Sequence, residues 1–159
     1  MTKLNHIDTD GNAVMVDIMK KNETERIAIA AGSIFMKSTT LELINKRAVK
    51  KGDVLSIAQI AGIMGSKRTP DLIPLCHPIN LTSVNVILTP NINESSISIE
   101  ATCKVVGKTG VEMEALTAVT VTALTIYDMC KAADREMRIS DIRLTYKAGG
   151  KSGEYREIE

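Results

Sequence analysis

Residues 111–133 of the chain read VEMEALTAVTVTALTIYDMCKAA. From Ala115 to Tyr127 this stretch has no charged residue, and apolar side chains lie on nearly every face of the helix that it predicts. The uncharged part is too short to span a bilayer, which takes about 20 residues. We therefore interpret the segment as a helix that is buried on more than one side. A sheet of the same chain would cover one side, and we expect a second subunit to cover the other.

Charge is confined to the two ends of this helix. Glu112 and Glu114 lie in its first turn, where the helix dipole favours carboxylates, and the dipole alone could explain them. Asp128 and Lys131 share a face near the other end, either as a plain surface ion pair or as a proton donor and acceptor. Because Glu114 and Asp128 lie about 21 Å apart along a helix, either the ligand is long or two subunits complete one site.

The segments on both sides of the helix predict the rest of the fold. Hydrophobic periodicity indicates helices over residues 40–47 and 54–65 and strands over residues 26–37, 80–89, 96–106 and 137–146. The order β-α-α-β-β-α-β predicts a ferredoxin-like α+β fold, with helices packed on one face of an antiparallel sheet. We expect one domain over residues 1–159, with an N-terminal arm over 1–25 and a flexible tail over 148–159.

Local signals predict the ends of the two short helices and the nature of the loop after them. Thr39 with Glu42 three residues later matches a capping box for the first helix. Asp53 is the expected N-cap of the second helix, and Gly65 its expected end. Three prolines then argue against regular helix or central strand over residues 67–78 and predict a rigid loop.

This loop contains the string PLCHP over residues 74–78. Two prolines bracket His77 and restrict its backbone, which lowers the entropy cost of holding an imidazole in a site. His77 is therefore either a site residue or an ordinary core or surface histidine. Cys76 has no second histidine or carboxylate nearby in the sequence that could activate it as a nucleophile.

Two glycine–lysine turns are similar to fragments of a phosphate-binding loop. Residues 107–109 and 150–152 both lack the earlier glycine that a P-loop requires, so neither is a P-loop. Each turn could still offer backbone N–H groups and a cation to a phosphate, although a turn with a solvated lysine is the plainer interpretation. Basic residues at the ends of predicted elements also suit a polyanion such as a nucleotide triphosphate; they are Lys50, Lys51, Lys67, Arg68, Lys147 and Lys151.

Composition argues against several classes of function. The 20 basic and 19 acidic residues give a net charge of +1, which argues against a general nucleic-acid binder. Aromatic residues make up 3% of the chain, too few for a base-stacking platform. The cysteines form no CxxC pair, so we expect no zinc site. We expect no membrane helix, and the odd cysteine count without a signal peptide indicates the reducing cytoplasm.

Several long strings give the chain a family resemblance. GKTGVEMEALTA, LTIYDMCKA, KRTPDLIPLCHP, KKGDV and MVD closely resemble the cyclic pyranopterin monophosphate synthases, the protein C family of molybdenum cofactor biosynthesis. The resemblance implies a lyase that takes 3′,8-cyclo-7,8-dihydro-GTP from a preceding radical SAM enzyme. This lyase forms cyclic pyranopterin monophosphate and releases diphosphate. The resemblance also implies a homohexamer, a trimer of dimers whose sites lie at the dimer interface.

The resemblance assigns roles to individual residues. Asp128 matches the catalytic acid or base, with Lys51 and Lys131 beside it. The implied substrate-binding residues are Leu75, Cys76, His77, Met113, Glu114, Glu112, Arg26, Lys67 and Lys147. The sequence contains no redox motif and no recognisable metal site, so we expect no cofactor and no metal bound by the protein itself, with Mg²⁺ as a possible companion of the substrate polyphosphate.

Two other classes of function compete with this interpretation. One is a non-catalytic accessory subunit that docks on the radical enzyme, although the Asp128–Lys131 pair argues against it. The other is a ferredoxin-like RNA-binding module. Such modules stack bases on aromatic side chains of their strands, and the predicted strands lack these residues.

Overall fold

The computed structural model of the protein describes residues 6–158. Its helices pack against one antiparallel sheet. The elements are β1 (Thr24–Phe35), α1 (Ser38–Asn45), α2 (Val54–Ser66), α3 (Thr69–Leu72), β2 (Ser83–Asn91), β3 (Ser96–Gly107), α4 (Glu112–Cys130), β4 (Arg138–Ala148) and β5 (Tyr155–Arg156). The predicted α+β fold is confirmed, and α3 and β5 are additional to the predicted order.

Alternation of apolar and polar residues decides which face of the sheet is buried. The strand order is β2-β3-β1-β4-β5, and β1 pairs with β3 over its whole length. Every second residue of β3 from Ile97 to Val105 is buried, whereas Ser98, Glu100 and Lys104 are exposed. This period of two is the one that a strand with a single covered face requires.

Helices α2 and α4 pack side by side on the buried face of the sheet. α4 contacts β1, β3 and β4, while α2 contacts β2 and lies against α4. Two glycines permit this close approach: a Cβ at Gly62 would overlap the hydroxyl of Thr122, and a Cβ at Gly65 would lie 2.8 Å from Val121. A second side of α4 is thus covered by α2 of the same chain. The burial of α4 therefore does not by itself require a second subunit, contrary to our expectation.

The predicted caps of the two short helices have different outcomes. Asp53 caps α2 as expected, by accepting a hydrogen bond from a backbone N–H of the first turn. The capping box of α1 is wrong, because the helix begins before Thr39 and no side chain of its own caps it. Instead, the buried carboxylate of Asp134 accepts hydrogen bonds from the backbone N–H of Lys37 (2.8 Å) and the hydroxyl of Thr40 (3.4 Å).

The loop and the chain ends also differ in detail from the prediction. The proline-rich loop contains the short helix α3, since Pro70 lies in its first turn, where the missing N–H costs nothing. Residues 6–23 contain one isolated bridge, between Ile7 and Ala13. At the other end, β5 pairs with β4. Across the described chain, no helix is both long enough and apolar enough to cross a membrane.

We expect Gly62→Ala to destabilise the fold. The added methyl group would overlap Thr122 and approach the carbonyl oxygen of Ala118 to 3.0 Å. Overpacking of this kind costs about 1–3 kcal/mol, whereas alanine gains only about 1 kcal/mol over glycine in a helix. Urea titration measures the free energy of unfolding, which should fall. Ile60→Ala, at a position of the same helix that is 57% exposed, is the control and should change it by less than about 0.5 kcal/mol. Equal stability of Gly62→Ala and the wild type would contradict this packing.

Candidate functional site

A cavity of about 680 Å³ opens beside the start of α4. Its lining includes parts of both glycine–lysine turns, namely Thr109 of the first, followed by Gly110, and residues 150–152 of the second. Among residues 6–158, Glu112 is the one carboxylate in this lining, against five basic side chains: Lys20, Lys21, Arg26, Lys147 and Lys151. We call it the basic cavity. Its excess of positive charge suits a polyanionic ligand.

Arg26 anchors both turns in the wall of this cavity. Its Nε donates a hydrogen bond to the carbonyl of Gly107 (2.9 Å), and its Nη2 donates to the carbonyl of Lys108 (3.2 Å). Gly150 lies directly against the guanidinium, because a Cβ there would overlap Nη1. The φ of +74° at Gly150 also favours glycine. Arg26 is thus partly committed to holding the backbone of the cavity wall.

Lys147 and Glu112 form an ion pair of 2.8 Å in the same wall. Both side chains are about three-quarters buried, with exposed fractions of 26% and 28%. The Nζ of Lys147 also lies 3.3 Å from the hydroxyl of Ser152. Gly110 leaves room for this pair, since a Cβ there would overlap the carboxylate of Glu112. The ion pair fixes a cation and a carboxylate side by side at the cavity edge.

A second cavity of about 330 Å³ adjoins the first, and the two share Lys21, Thr109, Gly110 and Glu112. It lies between the PLCHP loop and the first turn of α4. The remaining lining residues are His6, Val16, Ile18, Leu75, Cys76, His77, Ile79, Met113 and Glu114. We call it the histidine cavity. Its polar groups could accept, donate or transfer protons on a bound ring system.

Glu114 is the carboxylate of this cavity whose ionisation is most disturbed. It is 3% exposed, and burial raises its pKa to about 7, with the carboxylate of Glu112 acting in the same direction. A group with this pKa can hold or release a proton at neutral pH. Burial, followed by the charge of Glu114, also raises the pKa of the Cys76 thiol, which argues against a nucleophilic thiolate.

The far end of α4 carries a second group of predicted residues. The carboxylate of Asp128 lies 2.7 Å from Lys131 Nζ and 3.1 Å from Lys51 Nζ. Lys51 Nζ also donates a hydrogen bond to the Asp128 carbonyl at 2.9 Å. Their side chains are roughly half exposed. We call Lys51, Asp128 and Lys131 the Asp128 cluster.

The two lysines decide the protonation of this cluster. Hydrogen bonds from Lys131 and then Lys51 hold the pKa of Asp128 below its usual range. The same contact with Asp128 raises the pKa of Lys131. At neutral pH, Asp128 is therefore a carboxylate that can accept a proton, and Lys131 is an ammonium group that can donate one.

The structure divides the predicted site residues between two places. The adjoining cavities bring together Arg26, Leu75, Cys76, His77, Glu112, Met113, Glu114 and Lys147. The Asp128 cluster lies about 21 Å further along α4, as the helical rise of about 1.5 Å per residue between Glu114 and Asp128 requires. Lys67, the remaining predicted residue, is exposed at the C-terminal end of α2 and lines neither cavity.

Several lining residues are absent from the predicted set. Those from the N-terminal arm include His6, Val16, Ile18, Lys20 and Lys21. The two adjacent lysines Lys20 and Lys21, just before β1, could have indicated a binding role in the sequence. The arm has too little hydrophobic periodicity to predict which other elements it contacts. Within residues 6–158, no group of three or more His, Cys, Asp or Glu side chains is placed to hold a metal ion.

Comparison with known proteins finds relatives that match most of the chain. The MoaC family matches residues 15–150. The chain is 63% identical over 150 residues to the cyclic pyranopterin monophosphate synthase of Rhodospirillum rubrum, covering 94% of this chain and 90% of the relative. It is 58% identical to the protein of that name from Thermoanaerobacter sp., over 98% of this chain and 99% of the relative. It is 57% identical to the cyclic pyranopterin monophosphate synthase of Clostridium perfringens, over 96% of this chain and 97% of the relative.

We expect Glu114 to make the folded protein less stable as pH rises. Its ordinary pKa is 4.5 and its pKa in the fold is about 7, so between these values the folded state binds more protons than the unfolded state. The free energy of unfolding should therefore fall across this window, by up to about 3 kcal/mol. Urea titrations of wild type and Glu114→Gln from pH 4.5 to 8 measure the difference.

The Glu114→Gln variant should lack this loss of stability, because its side chain does not titrate. Glu100→Gln removes an exposed carboxylate on β3 and serves as the control, which should follow the wild-type profile. A constant stability difference between wild type and Glu114→Gln over the whole window would contradict the raised pKa.

Proposed function

Because the chain belongs to the MoaC family, we propose that it is a cyclic pyranopterin monophosphate synthase. It converts 3′,8-cyclo-7,8-dihydro-GTP into cyclic pyranopterin monophosphate and releases diphosphate, an early step of molybdenum cofactor biosynthesis. The observation that carries this proposal is the identity of 63% over 94% of the chain to a relative of that name. The cavities and the Asp128 cluster add physical support.

The two adjoining cavities suit the two parts of this substrate. A triphosphate needs local positive charge, and the basic cavity supplies it through Arg26 and Lys147 among others. The purine-derived ring system needs hydrogen-bonding groups in a partly apolar pocket. The histidine cavity offers His77 and Glu114 beside the apolar Leu75 and Met113. We therefore place the phosphates in the basic cavity and the ring system in the histidine cavity.

The Asp128 cluster suits the step that closes the cyclic phosphate. A ribose hydroxyl oxygen attacks the α-phosphorus, and a new O–P bond forms. The bond from the α-phosphorus to the bridging oxygen breaks, and diphosphate leaves with the bonding electrons. Asp128, ionised at neutral pH, takes the hydroxyl proton. Lys51 and Lys131 stabilise the charge that develops on the phosphoryl oxygens.

The separation along α4 supports a site made by two chains. A helix is rigid over this length, so the cavities at its start cannot reach the Asp128 cluster of the same chain. We propose a homo-oligomer, a hexamer arranged as a trimer of dimers, in which the Asp128 cluster of one chain faces the cavities of another. Lys67, which lies outside both cavities, would reach the substrate in the same way.

Other parts of the proposal rest on the family to which the chain belongs. We propose that the protein works in the cytoplasm and receives its substrate from a preceding radical SAM enzyme. It binds no cofactor itself, and any Mg²⁺ arrives with the polyphosphate of the substrate.

We expect the purified chain alone to release diphosphate from the cyclic GTP-derived substrate, and Asp128→Ala to abolish this release. General acid–base catalysis contributes about 10²–10⁴-fold, and the variant also leaves Lys51 and Lys131 without their carboxylate. A coupled diphosphate assay measures turnover, while circular dichroism and size-exclusion chromatography check that fold and assembly persist.

Glu42→Ala is the matched control, because it breaks an exposed carboxylate–lysine pair of similar length (3.1 Å to Lys46) on α1. It should keep wild-type turnover. Near wild-type turnover by Asp128→Ala would refute the role of Asp128. If the wild-type chain alone released no diphosphate, an accessory role beside the radical enzyme would be favoured instead.

A further inference from the structure

We propose that residues 14–22 of the N-terminal arm form a strap over the two adjoining cavities, and that Lys21 in this strap is a substrate-binding residue. The inference rests on the proposed function for the identity of the ligand. It adds a binding residue and a closing element that belong neither to α4 nor to the PLCHP loop.

Lys21 occupies the junction between the two cavities. It is one of four residues that line both of them, and it is the only cation among the four. Its neighbour Lys20 lines the basic cavity alone. Among the described residues Lys21 forms no salt bridge, whereas Lys147 is already paired with Glu112. Lys21 is therefore available to a phosphate that lies where the ring system ends and the polyphosphate begins.

Local hydrogen bonds shape the strap so that its lysines lie at the cavities. The backbone N–H of Lys21 donates to the carbonyl of Ile18 at 3.1 Å, which closes a turn. The carboxylate of Asp17 accepts a hydrogen bond of 2.7 Å from the backbone N–H of Met19 in the same turn. Val16 and Ile18 are half-buried and line the histidine cavity. The strap thus has an apolar side over one cavity and a cationic end over both.

One side-chain contact fastens the strap to the rest of the site. The Nζ of Lys108 donates a hydrogen bond of 3.1 Å to the carbonyl of Met19. Lys108 belongs to the glycine–lysine turn whose backbone Arg26 holds. Lys108 therefore holds the strap to this turn through its side chain. Most other side chains of residues 6–23 are exposed, so the strap is held by few interactions and a bound polyanion should hold it further.

Limited proteolysis with inorganic tripolyphosphate as the probe tests this inference without relying on turnover. Trypsin cleaves after Lys20 and Lys21, and mass spectrometry follows each site. Tripolyphosphate should slow cleavage at these two sites several-fold, because it engages Lys21 and holds the strap against the cavities. Cleavage after Lys46 and Arg47, which are exposed at the end of α1, is the internal reference and should not change.

Variants separate binding by Lys21 from fastening by Lys108. Lys21→Ala should raise KM for the substrate about tenfold, as expected for the loss of a charge-assisted contact, and should weaken the protection of the Lys20 site. Lys21→Arg keeps the charge and should restore most of both effects. Lys108→Ala should speed cleavage of the strap without ligand. Lys46→Ala, a lysine far from the cavities, should behave as wild type.

The outcomes distinguish this inference from the proposed function. If the wild type lacks turnover but tripolyphosphate protects the strap through Lys21, the proposed function fails and the strap inference stands. If turnover is present while Lys21→Ala leaves KM and protection unchanged, the strap inference is overturned and the proposed function stands.

Discussion

The rigidity of α4 is the constraint on which the candidate site depends. This single helix, packed against the sheet and against α2 through Gly62 and Gly65, holds Glu112 and Glu114 at one end and Asp128 at the other. Its uncharged middle is needed for the core, so ionisable groups can lie only near its ends. The packing that stabilises the fold therefore also separates the two halves of the site by about 21 Å.

The two halves differ in how they handle charge. At the start of α4, five basic side chains face one carboxylate, which leaves positive charge free for a polyanion. At the far end, Lys51 and Lys131 form ion pairs with Asp128 and so keep its carboxyl group ionised. The net charge of +1 for the whole chain does not show this uneven distribution of charged residues. A near-neutral chain can thus be unsuited to a nucleic-acid polymer and still provide a strong local site for one nucleotide-derived triphosphate.

Much of the fold was predictable because periodicity is local. The alternation in β3 and the uncharged run of α4 both appear in the sequence as they do in the structure. The features that could not be predicted depend on partners distant in sequence. The α1 cap comes from Asp134, almost 100 residues away, and the cover of α4 comes from α2. For the same reason the sequence suggested His77 and Glu114 separately, but no spacing showed that the arm with Lys21 joins them in one lining.

Complementation between two variants that we expect to be inactive tests most directly whether the Asp128 cluster of one chain serves the cavities of another. Asp128→Ala and His77→Ala chains, carrying different affinity tags, are co-expressed, and the mixed assemblies are assayed for diphosphate release. With a site shared between two chains, random assembly should restore about a quarter of wild-type turnover, because about half of the dimers are mixed and each mixed dimer holds one intact site and one site with both defects. Mixed assemblies as inactive as the two parents would mean that each chain uses its own Asp128, which would contradict a site shared between two chains.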